Sequence, residues 1–138
     1  MRPICQKLAR SLFDEASLVG LGWRRLAVTR EVYLYCGATP VVFAHSVVRR
    51  EGLRGAWRWL GTLGARPLGA ALFADPGVKR TPLMFRAIGR HHPLFRRATA
   101  LLEAPPRALW ARRSIFLREE VPLLVTEVFL PAILELPR

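Results

Sequence analysis

Two apolar runs near the end of the chain, 108–117 and 122–130, are separated only by the polar residues Arg118–Glu120. Extended runs joined by so short a polar link pair most simply as an antiparallel hairpin. Along the second run side chains alternate, so Leu123, Val125, Glu127 and Phe129 share one face. Leu124, Thr126, Val128 and Leu130 share the other. Both faces are apolar, which requires a strand covered by protein on each side. Glu127 breaks that pattern. A carboxylate taken out of water is costly unless a partner meets it.

The stretch VTREVYLYC, residues 28–36, sets the same problem with the opposite sign. Val28, Arg30, Val32, Leu34 and Cys36 alternate onto one face, and Thr29, Glu31, Tyr33 and Tyr35 onto a more polar one. Two strands thus each carry one charge on an apolar face, and the charges are complementary. Either Arg30 and Glu127 neutralise one another, or both look into a pocket and meet a ligand.

The remaining pattern predicts a helix over 3–18, with Ile4, Leu8 and Leu12 on one face. A strand over 27–36 turns at CGATP and returns over 40–48. Leu53, Trp57 and Leu60 lie at helical spacing within 51–61, and Pro67 can open a second helix carrying Leu68, Ala71 and Leu72. A loop over 73–82, a strand over 83–90 and a helix over 93–103 lead into the closing hairpin. The order predicts an α+β fold, a mainly antiparallel sheet with helices packed on it, as one domain over 1–138.

A chain with 51% hydrophobic residues can build a substantial core. Its net charge of +12 invites comparison with nucleic-acid binders, but the basic residues are spread along the chain in no single block. All of them except Lys7 and Lys79 are arginine, a genome-wide habit of composition more than a binding stripe. Cys5 and Cys36 form no CxxC pair, and His91 and His92 are adjacent and point apart, so neither zinc nor a disulfide framework is expected. Lys7, Arg10, Asp14 and Glu15 interrupt any leader-like apolar region, and the uncharged run 32–48 contains the turn residues Gly37 and Pro40. A cytoplasmic protein without membrane insertion is expected. The glycines match no phosphate loop, and Ser46 and Ser114 lack the surroundings of a nucleophile elbow.

Six segments occur in the order of a known family: REVYLYC, FAHSVV, LGARPLGAALFADPGVKR, HPLFRRA, LWARRS and PLLVTEVFLPA. Over residues 28–132 the chain resembles the chorismate pyruvate-lyases, which convert chorismate to 4-hydroxybenzoate and pyruvate at the entry to bacterial ubiquinone synthesis. The resemblance implies a six-stranded antiparallel sheet with helices. It places Arg30 and Glu127 as catalytic residues and Arg30, Leu68 and Glu127 against the substrate, with Gly69 letting backbone approach the ring. It implies chorismate as substrate, 4-hydroxybenzoate as product, no cofactor or metal, and a monomer that binds no nucleic acid. The same fold serves as the effector-binding domain of some bacterial transcription regulators, so a non-catalytic binder of a small aromatic acid is the alternative. Nothing here resembles their DNA-binding helix-turn-helix. Two departures stand out. The N-terminal part of the family fold, with one further ligand contact that is usually methionine, has no clear counterpart. His45 stands where the family usually has arginine, which is expected to weaken attraction for a dianionic substrate.

Overall fold

The computed structural model describes residues 2–10, 26–64 and 66–135. Among these residues seven strands form one antiparallel sheet: β1 (Arg2–Arg10), β2 (Leu26–Cys36), β3 (Thr39–Arg49), β4 (Lys79–Arg80), β5 (Met84–Gly89), β6 (Ala108–Arg118) and β7 (Val121–Phe129). The order across the sheet is β1-β2-β3-β7-β6-β4, and β5 also pairs with β6. β4 and β5 lie end to end along β6, against Phe116 and Leu117 and against Ala108–Arg113. The sheet is therefore six positions wide, in keeping with the implied six-stranded architecture.

Both hairpins lie where the alternation places them. β2 and β3 turn at Gly37, whose φ of +62° suits a residue without Cβ. Their register shifts between Leu34 and Tyr35, next to Pro40, where a missing N–H is tolerated. β6 and β7 are joined through Glu119 and Glu120, both at positive φ, as a tight hairpin requires.

One expectation fails. Arg2–Arg10 is strand and not the start of a helix, because its backbone finds a partner in β2 from Arg10↔Leu26 to Arg2↔Tyr33. A free sheet edge overrides a helical spacing only a few residues long. The rest of the expected 3–18 helix lies outside the described residues. The 51–61 segment forms two 3-10 turns, Arg50–Arg54 and Arg58–Thr62, with glycines at 52, 55 and 61 working against a continuous helix. The other two helices form, in shortened versions, as α1 (Leu68–Ala74) and α2 (Pro93–Ala98).

The sheet is covered on both faces. On one, Val48, Phe116, Leu123 and Val125 pack under Trp57, Leu60 and Leu63 of the 3-10 turns and Leu68 and Leu72 of α1. Trp57 is fully buried and its indole N–H donates to the Val121 carbonyl at 2.8 Å, closing that layer. On the other, Tyr33, Phe43, Ala111 and Val128 pack under Leu94, Phe95 and Ala98 of α2. This explains why β7 is apolar on both sides.

Candidate active site

Over the first face, between the sheet and α1, lies a cavity of about 270 Å³. β2 contributes Arg30, Val32 and Leu34, and β3 contributes Ala44 and Ser46. β6 adds Arg112, Ser114 and Phe116, and β7 adds Val125 and Glu127. The roof carries Leu68, Gly69 and Leu72 of α1, and Arg80 also lines the cavity. Period-two alternation along four neighbouring strands is what gathers these side chains on one side. Arg30, Leu68 and Glu127 thus meet around one space, although 38 residues or more separate each from the next in sequence.

The two charges do not neutralise one another. Glu127 is held by Arg112, its direct neighbour on β6, through Nε–H to Oε1 at 2.7 Å and Nη2–H to Oε2 at 3.2 Å. This is the fork geometry in which arginine matches a carboxylate. The hydrogen bond from Arg112 to Glu127 raises the guanidinium above its ordinary value, against the pull of partial burial. Arg112 also sits 5.4 Å from the centre of the Phe129 ring, within cation–π range.

Arg30 is 6% exposed, and burial lowers its guanidinium from the ordinary value. Its Nη2 donates to the carbonyls of Gly64 and Arg66 at 3.1 and 3.2 Å. These bonds tie the strand to the segment that leads into α1, so one arginine both lines the cavity and anchors its roof. The walls are mostly aliphatic and aromatic, which strengthens any charge contact made inside. A Cβ built on Gly69 would meet nothing within 4 Å, so the roof leaves room there.

Nothing in the sequence alone marks Arg112 as Glu127's partner. The two-residue period of extended backbone puts Arg112 and Ser114 on one face of β6 and Arg113 on the other. What was not legible is that β6 pairs with β7 in the register Arg112↔Glu127. Arg113 indeed faces away and donates to the Thr126 hydroxyl at 3.2 Å. His45 stands apart from these residues. It does not line the cavity but lies on the opposite face, with Nδ1 2.8 Å from Glu31 Oε2.

Among the described residues no group of three or more His, Cys, Asp or Glu is arranged to hold a metal ion. No helix among them is long and apolar enough to cross a membrane.

Comparison with known proteins bears on this geometry. A family model described as chorismate lyase matches residues 9–136, beginning further upstream than the motifs had indicated. A protein of Nitrosomonas europaea named "Probable chorismate pyruvate-lyase" is 54% identical over 96% of this chain and 75% of its own length. One of Nitrosospira multiformis with the same name is 56% identical over 99% of this chain and 76% of its own. Among solved structures, the C-terminal domain of PhnF superposes with a TM-score of 0.71 at 13% identity, covering 93% of this chain and 80% of that one. The C-terminal domain of the histidine utilization repressor from Pseudomonas syringae pv. tomato gives 0.66 at 11% identity, covering 95% and 90%. At such identities these two share the fold and nothing more is drawn from them. The match over nearly the whole length, with relatives above half identity, settles the kinship: the chain belongs to the chorismate lyase family.

Proposed function

We propose that this protein is a chorismate pyruvate-lyase that eliminates pyruvate from chorismate and leaves 4-hydroxybenzoate, the aromatic acid that enters ubiquinone synthesis. The observation that carries the reading is that Arg30 and Glu127 line one mainly apolar cavity with Leu68. Arg30 clamps the ring carboxylate through its planar fork, a charge-assisted bond made stronger by burial. Glu127, gripped by the Arg112 fork, accepts a hydrogen bond from the ring hydroxyl and fixes the ring's orientation. Leu68 packs on the ring from the roof.

The chemistry asks little more of the protein than position. The bond from the ring to the enolpyruvyl ether oxygen breaks. The hydrogen on the carbon bearing the hydroxyl passes to the enolpyruvyl methylene through a six-membered cyclic transition state. The ring becomes aromatic, and the released fragment is pyruvate with a new methyl group. Aromatisation supplies the driving force, and the site contributes by holding the reactive conformer in a dry space.

Incubation of the purified protein with chorismate is expected to release 4-hydroxybenzoate and pyruvate in equal amounts. Tight binding of 4-hydroxybenzoate without pyruvate release would overturn the lyase reading in favour of a binding protein.

A further inference from the structure

Two pairs of polar residues stand on the cavity floor, one on each side of Val125. Arg30 is the direct cross-strand neighbour of Ser46, and Ser46 lies opposite Val125. Ser114 lies opposite Val125 on its other side, and Arg112 is the next residue on the same face of that strand. Each pair thus combines one guanidinium with one hydroxyl. Ser46 and Ser114 are 5% and 3% exposed, both line the cavity, and neither hydroxyl is hydrogen-bonded among the described residues. Both hydroxyls open onto the cavity, where a ligand can supply a partner.

We propose that Arg112 and Ser114 form the binding station for the second carboxylate of the substrate, the one on the enolpyruvyl arm. The assignment rests on the lyase reading and follows from the order of groups around the ring. In chorismate the ring carboxylate is para to the hydroxyl, whereas the ether oxygen sits on the carbon next to it. In the protein Arg30 lies two strands from Glu127, roughly 10 Å across the sheet. Arg112 is Glu127's immediate neighbour. With the ring carboxylate on Arg30 and the hydroxyl on Glu127, the enolpyruvyl arm falls beside Arg112 and Ser114. Arg112 can take it without releasing Glu127. Nε and Nη2 serve Glu127, and Nη1 makes no bond to a described residue, leaving two N–H donors for an oxyanion. Ser114 adds one hydroxyl donor.

The product lacks the enolpyruvyl arm, and this makes the assignment testable. Chorismate KM and kcat and the Kd of 4-hydroxybenzoate are measured for the wild type, Ser114→Ala and Arg112→Lys. Ser114→Ala is expected to raise chorismate KM about tenfold and to leave 4-hydroxybenzoate Kd within about twofold. Arg112→Lys, which keeps a charge but loses the fork, is expected to raise KM further and to weaken the product less than the substrate. Equal losses for both ligands would show that the pair only supports Glu127 and would overturn the proposal, as would no change in either. If the wild type releases no pyruvate, the lyase reading fails. Equilibrium binding of chorismate against 4-hydroxybenzoate to the same variants then still judges the second station by the same criterion.

Discussion

Arg30 and Glu31 are consecutive residues of β2, both nearly buried, yet their surroundings differ in kind. Glu31 points to the face covered by α2. Its Oε2 lies 2.8 Å from His45 Nδ1 and 2.8 Å from Arg97 Nη1. Burial works to raise its carboxyl, but hydrogen bonds and charge from His45, then Arg97, outweigh this and hold it below the ordinary 4.5. Arg30 points the other way, onto the wall of a cavity. Glu31 is enclosed by complementary side chains, whereas Arg30, bonded to the Gly64 and Arg66 carbonyls, also forms part of a cavity wall. A buried pair away from any cavity holds strands and helix in place, whereas a charge on a cavity wall is also within reach of a ligand. Glu127 falls between the two, anchored by Arg112 yet still on the cavity surface.

This contrast breaks most decisively at Arg30. Arg30→Ala is expected to lower kcat/KM for chorismate by about 10²–10³, the size of effect seen when a charge-assisted contact to a reacting ligand is lost. Because the Gly64 and Arg66 carbonyls lose their donor, the urea midpoint is expected to fall as well, so activity is compared per folded molecule. A variant with full activity would remove Arg30 from the site.

On the other face the weights reverse. Glu31→Ala leaves His45 and the Arg97 contact without their shared acceptor, and is expected to cost about 3 kcal/mol of stability by denaturant unfolding. Turnover per folded molecule should stay within about threefold of the wild type. A large loss of kcat with unchanged stability would mean that the two faces are coupled and the distinction is false.

The smallest effect is the pH slope. A carboxyl held below its unfolded value contributes stability that is present above the ordinary range and lost as pH falls through the lowered value. Glu31 should therefore make the urea midpoint decline as pH drops below about 4.5. Asp75 acts in the same sense, since the Gly77 N–H and the Arg118 and Trp59 hydrogen bonds lower it, so the wild type carries both slopes. Glu31→Gln is expected to decline less steeply over that window. Parallel curves would exclude the Glu31 contribution.

Much of this architecture was legible because it rests on local rules. The alternation in 122–130 required cover on both faces, and two separate cores provide it. The two hairpins followed from apolar runs bounded by turn residues. The N-terminal strand was misread because Ile4, Leu8 and Leu12 fit a helix by spacing alone, while the neighbouring edge of β2 is invisible in the residues themselves. At the site, alternation correctly put Arg30 and Glu127 on inward faces. It left open whether they pair or share a pocket, because it says nothing of which strand lies next to which.

The order of amino acids by itself determined which side chains face the same way along each strand, since that depends only on the two-residue period of extended backbone. It determined too that Arg30 would be buried and Glu127 partly so, because their neighbours on the same face are apolar. Pairing was decided by the tertiary structure alone. Placing β7 between β3 and β6 set Arg112 against Glu127 and left Arg30 two strands away, with space between them. Register between strands arises from packing over the whole sheet, and no single segment contains it.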